Sequence, residues 1–196
     1  DQEAYYTFKG ETVVSYLENN PNQFSEFSEV LKYTGLDALL ATYGTFTCFI
    51  PTNEAMRAYY ADSSKSSFEE FSVEALREMV YYQIIDTRIY LSTDFPQGRL
   101  SNKNMMSRFI DISFEKYAEE GGILVNSSST IRLKDQEVHN GVIHVIDKVL
   151  VPSNYLLPES IRSDSAFSIF GEALYLTGMS DSLLGIRDDS YGQTAS

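Results

Sequence analysis

The spacing of apolar residues changes near Asp86, and that change narrows the folds open to this chain. Up to Asp86 the apolar residues recur at helical intervals, and beyond it they fall in short β-like runs. Val13, Val14 and Leu17 share one helical face, and Pro21 ends that segment. Phe24, Phe27, Val30 and Leu31 then repeat until Gly35, which stands where a left-handed helix cap is wanted. Leu36, Leu39 and Leu40 predict one further turn. Residues 45–50 are β-rich and stop at Pro51, after which Thr52 or Asn53 can cap a helix through Tyr60. A small, polar loop covers 61–67, and from Ser72 a stronger helix places Val73, Leu76, Met79, Val80 and Ile84 on its apolar side. The β-like runs cover 88–91, 109–114, 122–126, 130–133 and 142–151, with turn signals at Gly121-Gly122 and Asn140-Gly141. Helices mainly first and strands mainly last predict an α+β fold rather than alternating α/β.

With 43% hydrophobic residues in 196, the chain can bury one full core, and its 14 Tyr and 12 Phe argue for a packed interior. The formal net charge of −13 argues against nucleic acid, whose binding depends on Lys and Arg displacing counterions. No apolar run approaches the roughly 20 residues that span a bilayer, so no membrane-spanning segment is expected. Cys48 has no partner for a disulfide or a thiolate zinc site. A chain that starts at Asp1, without an initiator Met or hydrophobic leader, is compatible with export and trimming.

After Pro152 the chain returns to a helical pattern like its own opening. Thr34-Gly35 aligns with Thr177-Gly178, and at the same offset Phe24, Ser25, Phe27, Glu29 and Leu31 meet Phe167, Ser168, Phe170, Glu172 and Leu174. So many coincidences favour a tandem repeat of about 140 residues. One module is expected over 1–152, and a linker with the helical start of a second over 153–196.

Two segments carry recognition. GTFTCFIPTNEAM, 44–56, is a strand that breaks at a proline and enters a capped helix; VHNGVIHVIDKVLVP, 138–152, is an Asn-Gly turn feeding a strand that ends at another proline. Together, behind this helical opening, they resemble the signature segments of the fasciclin-like (fasciclin I) domain family. Residues 122–130 resemble that family's penultimate strand region, and 165–184 the start of a further domain.

The resemblance implies a compact β-strand core of two small packed sheets with several helices against it. It also implies proteins secreted or displayed at the cell surface, used for adhesion and for binding protein or glycan partners, with adjacent fasciclin-like domains in the same chain. A bacterial outer-membrane lipoprotein is one such setting. The family carries a Tyr-His pair linked with adhesion in animal members; the matching pair here is Tyr82-Gln83, without the histidine, and no Arg-Gly-Asp triplet replaces it. Tyr81, Tyr82, Gln83 and Tyr90 are therefore the candidate binding residues, tyrosine offering rigid apolar area with a polar tip; the alternative is that these rings complete the core beneath the helix from Ser72, because aromatics on a helix face usually pack inward. Adjacent positions on a helix differ by about 100°, so at most one of Tyr81 and Tyr82 is expected to face outward.

Catalytic chemistry has little support. His144 lies between Val142 and Ile146 on one strand face and reads as a core histidine with both nitrogens hydrogen-bonded, whereas His139 reads as exposed. Cys48, inside the first signature strand, reads as a buried thiol. No G-x-S-x-G elbow, phosphate loop or Glu-x-x-His pattern is present. Glu69-Glu70, Glu119-Glu120 and Asp188-Asp189 are acidic doublets that a glycoside hydrolase could use, but each lies in a solvated stretch. A tyrosine-rich, acidic, disulfide-free composition also suits a carbohydrate-binding accessory of a bacterial surface system. Thr52, Asn53, Asn140, Gly141 and His144 are assigned to architecture: helix capping, the positive φ angles of a tight Asn-Gly hairpin, and core packing. Residues 126–128 form one weak glycosylation sequon. No metal and no cofactor are expected.

Overall fold

Capping chemistry sets the first helices. In α1, Val13–Asn19, the Thr12 hydroxyl accepts the Ser15 N–H while the Ser15 hydroxyl accepts that of Thr12, closing a capping box. α2, Pro21–Thr34, starts on the proline that ends α1, because a first-turn residue has no intrahelical use for an N–H. It stops at Gly35, whose φ of 73° is the left-handed cap read from the sequence. α3, Asp37–Leu40, supplies the further turn.

The computed structural model describes residues 10–115 and 122–152. The chain divides into Asp1–Val151 and Pro152–Ser196, and apart from Pro152 the described residues belong to the first unit. The second module predicted over 153–196, the Thr177-Gly178 match, and the doublets Glu119-Glu120 and Asp188-Asp189 lie outside the described residues.

After α3 come β1 (Phe46–Pro51), α4 (Asn53–Asp62), α5 (Val73–Tyr82), β2 (Ile84–Ile85), β3 (Gly98–Arg99), β4 (Asp111–Phe114), β5 (Ile123–Val125), β6 (Ser129–Val138) and β7 (Gly141–Ile146). The seven strands run in the order β2-β1-β7-β6-β5-β4-β3. All neighbours are antiparallel except β1 and β7, which pair in parallel from Phe46↔Gly141 to Pro51↔Ile146. The two small sheets implied by the resemblance are the two halves of this run, joined through the long, bulged β6.

Every residue of β1 and of β7 is buried. Because successive strand residues face opposite ways, this pair divides two cores. Cys48, Ile50, Ile143 and Val145 face the helices, meeting Leu17, Phe24, Phe27, Leu31, Leu76 and Val80. Phe49 and Ile146 face the other way, into a second core with Ile85, Ile110, Ile112 and Val125. Ile112 of β4 and Ile123 and Val125 of β5 line that side.

Four sequence expectations change. Residues 88–91 are extended but lie outside the named strands; only Thr87 bridges Thr45, because side chains take up the backbone groups that follow. Ile84 opens β2 instead of closing α5, which ends at Tyr82. β7 stops at Ile146, since the Asp147 carboxylate, and not another ladder residue, accepts the Thr130 N–H at 2.8 Å and holds Arg132 at 2.7 Å.

The fourth change concerns the hairpin between β6 and β7. Its two-residue loop is His139-Asn140, closed by the pair Val138↔Gly141, and neither Asn140 nor Gly141 has a positive φ. Gly141 is needed for space, because a Cβ there would fall on the carbonyl oxygen of Phe46 in the parallel neighbour. Asn140 is needed for bonding: its buried amide donates to Leu40 O at 2.7 Å and Thr42 O at 2.8 Å and accepts the Val13 N–H at 2.9 Å. One side chain thus ties α1, the end of α3 and the start of β7. Replacing Gly141 with Ala should cost about 3 kcal/mol through overpacking against backbone, and Asn140→Ala about 1–3 kcal/mol through orphaned buried groups. Urea unfolding checks both; stability within experimental error of the parent for either variant contradicts these roles.

Candidate functional site

The segment predicted as a strand at 88–91 crosses the sheet as a strap held by side chains. The Thr47 hydroxyl donates to Arg88 O at 2.7 Å and accepts the Tyr90 N–H at 2.8 Å. The Thr45 hydroxyl donates to Asp86 O at 3.3 Å. His144 Nε2 donates to Tyr90 O at 2.7 Å, while its Nδ1 accepts the Asp135 N–H at 3.2 Å. Those two bonds fix a neutral tautomer in a fully buried ring flanked by Phe49 and Phe95. Asp135, in the β6 bulge with φ of 56°, accepts the Ser92 N–H at 2.6 Å, and the Ser92 hydroxyl donates to its other oxygen.

Ser, Asp and His therefore meet here, but in the wrong order for nucleophilic catalysis. His144 touches the backbone of Asp135, not its carboxylate, and neither ring nitrogen is left for the Ser92 hydroxyl. Cys48 is fully buried, and burial pushes its thiol far above the usual range, away from the reactive thiolate. Glu69 and Glu70 sit on a 3-10 turn, where Glu70 accepts the Ser66 N–H at 2.9 Å. Among the described residues, no group of three or more His, Cys, Asp and Glu is placed to hold a metal ion. No helix among them is long and apolar enough to cross a membrane.

The four candidate binding residues do not form an open surface. Tyr82, Gln83 and Tyr90 are buried, at 6%, 0% and 2% exposure, and Tyr81 is half-buried against the helical core. Helical geometry turns Tyr82 into the second core. Gln83, where the family's histidine would stand, donates to Met79 O and Leu150 O and accepts the Leu150 N–H, all at 2.8–2.9 Å. Its amide binds the end of α5 to the chain leaving β7. Tyr90 donates to Asn102 Oδ1 at 2.7 Å beneath the Arg88 guanidinium.

The remaining signature residues are equally committed. Thr52 caps α4 through the Ala55 N–H at 3.2 Å. Buried Asn53 accepts the Glu26 N–H at 2.9 Å and donates to Pro21 O and Asn22 O, pinning α4 to the start of α2. His139 is exposed, its ring edge-on to Tyr43. Sequence reasoning missed Thr47, Ser92 and Asp135. The one available signal was the Lys134-Asp135 charge pair interrupting a strand pattern.

Burial holds the His144 imidazole below the usual range, against the opposing pull of Tyr90 O and the Asp135 carboxylate. Burial also raises the Asp135 carboxyl, but its two Ser92 bonds, His144 and Lys134 outweigh this and hold it below the ordinary value. Unfolded, His144 protonates near 6.5, and folded only at lower pH. In that window the unfolded chain binds more protons, so stability falls as pH falls below about 6.5. Asp135 adds a loss of the same sign in a lower window, below 3.8. Melting curves between pH 8 and 5 should show this drop for the parent and a smaller one for His144→Gln, whose amide can donate to Tyr90 O and accept the Asp135 N–H. Identical pH dependence in the two proteins contradicts the assignment.

Comparison with known proteins agrees with this geometry. A stretch of 142 residues is 25% identical to the pig transforming growth factor-beta-induced protein ig-h3, covering 72% of this chain and 20% of that one. Human stabilin-1 is 30% identical over 68% of this chain and 5% of its own. Protein sll1483 of Synechocystis is 28% identical over 72% of this chain and 73% of its own. The chain thus spans a fifth or less of the first two relatives. A solved FAS1 domain pair from the insect cell adhesion molecule fasciclin I shares the fold, with a TM-score of 0.58 at 20% identity over 74% of this chain and 52% of that one. The Fasciclin domain model matches residues 22–152, and the chain belongs to the fasciclin domain family.

Proposed function

We propose that this chain works by binding, as an adhesion module of a secreted or surface-held protein in which fasciclin-like domains follow one another. The observation that carries this reading is the commitment to the fold of the buried polar side chains among the described residues. Asn53, Asn140, Gln83 and His144 spend their polar atoms on the fold, and among the described residues no buried side-chain polar atom lacks a partner. Family membership and the adhesion molecule named for the matching fold support the same reading. The tandem arrangement rests on the sequence match between 24–35 and 167–178. Within 81–90, contact with a partner falls to half-buried Tyr81 and to the exposed residues Asp86, Thr87, Arg88 and Ile89.

Surface coated with the 196-residue chain should retain cells in an attachment assay, with retention blocked by the soluble chain and unaffected by Glu69→Gln with Glu70→Gln. Turnover of a glycoside in a broad panel, lost in that double variant, contradicts binding as the function. Retention abolished by a free glycan, and by no protein competitor, transfers the role to carbohydrate recognition.

A further inference from the structure

The hairpin joining β3 and β4 carries charge opposite to that of the chain as a whole. The sequence has 28 acidic and 15 basic residues, yet 95–110 contains Arg99, Lys103 and Arg108 and no Asp or Glu. The hairpin's shape is set from within. Its ladder, Gly98↔Ile112 and Arg99↔Asp111, continues through Leu100 N–H to Ile110 O and Asn104 N–H to Arg108 O, both at 2.8 Å. Buried Asn104 accepts the Met106 and Arg108 N–H groups at 3.1 and 2.9 Å and donates to Tyr82 O at 2.9 Å, so the turn is locked to the end of α5.

Arg99, Lys103, Arg108 and Phe109 stand exposed on this frame. The Arg99 guanidinium lies 5.0 Å and the Lys103 ammonium 5.1 Å from the centre of the Phe109 ring. Two like charges are thereby kept within about 10 Å, roughly one Debye length at 0.1 M salt. Asp111 answers Arg99 at 3.4 Å, and Lys103 places a second exposed cation on the same ring. Half-buried Met105 and Met106 complete the turn. Arg, Met and aromatic side chains are the types concentrated at the centres of protein interfaces. An acidic polypeptide supplies both carboxylates for the cations and apolar side chains for the ring, and a rigid frame lowers the ordering cost of receiving it.

We propose that Arg99, Lys103 and Phe109 form the docking surface for an acidic segment of a partner polypeptide, an inference that rests on the binding role above. Carboxylates pair with the cations, and an apolar side chain of the partner lies on Phe109. Charge at such a surface governs association rate and salt dependence more than tightness. A fluorescein-labelled peptide of alternating Glu and Leu, titrated against the full chain by anisotropy, should bind at low salt and weaken as salt rises. Arg99→Gln with Lys103→Gln should weaken binding several-fold in a chain that still folds, and Phe109→Ser several-fold. Lys148→Glu, an exposed change off the hairpin, should leave binding nearly unchanged.

Unchanged binding in the double variant, an equal loss in Lys148→Glu, or binding of a sulfated oligosaccharide but not the peptide each overturns the proposal. If the double variant does not fold, Lys103→Gln and Phe109→Ser decide by the same criteria. Cell attachment run in parallel separates the two readings. No attachment by the parent overturns the binding role itself, whereas attachment kept by a folded hairpin variant overturns only the hairpin's part in it.

Discussion

The parallel pairing of β1 with β7 is the interaction on which the rest of this structure depends. Six consecutive registers join a strand near the start of the domain to its last strand, and everything between them is a single long excursion. Pairing of this kind pays loop-closure entropy before it yields any contact, so it forms late and depends on the intervening elements. Once formed, it has apolar side chains on both faces and closes two cores at once. Loss of β7 would open the helical core along Ile143 and Val145 and the second core at Ile146 in one step.

Buried polar side chains make that pairing specific. Asn140 fixes where β7 begins, by bonding to α1 and the end of α3, and Gly141 lets the Phe46 carbonyl approach. Asn53 fixes where β1 gives way to α4 by bonding to the first turn of α2. His144, midway along β7, reaches across to the strap and to the β6 bulge. Each is a small polar network with every member satisfied, so it costs little when formed and much when one partner is removed. The strong sequence signals of the two signature segments are, on this account, the marks of a frame.

Much of this was legible in the residues themselves. Gly35 announced the end of α2, Thr52 the start of α4, and the apolar run from Leu76 to Val80 the buried face of α5. The strand expected at 45–50 is β1, Phe46–Pro51, and the start expected at 142 lies one residue from Gly141, where β7 begins. The misses come from long-range bonding and packing that no local pattern carries. Residues 88–91 have strand composition, yet Thr47 and His144, distant in sequence, take the backbone bonds a neighbouring strand would have taken. Asn140-Gly141 has the composition of a positive-φ turn, but the close approach of Phe46 is what demands glycine. The family resemblance points to Tyr82, Gln83 and Tyr90 as binding residues while helix-face packing points to the core, and the second core, built from strands far along the chain, takes in Tyr82 and Tyr90.

Native-state hydrogen exchange on the intact chain tests the central claim most directly. If the β1–β7 pair is the interaction that everything else rests on, the buried amides of Cys48, Ile50, Ile143 and Val145 should exchange only through global unfolding, with the same denaturant dependence as the whole domain. The strap and the hairpin at 98–112 should open at lower free energy. Exchange of the β1 and β7 amides through local openings, while the amides of α2 and α5 remain protected to the global limit, would contradict the account.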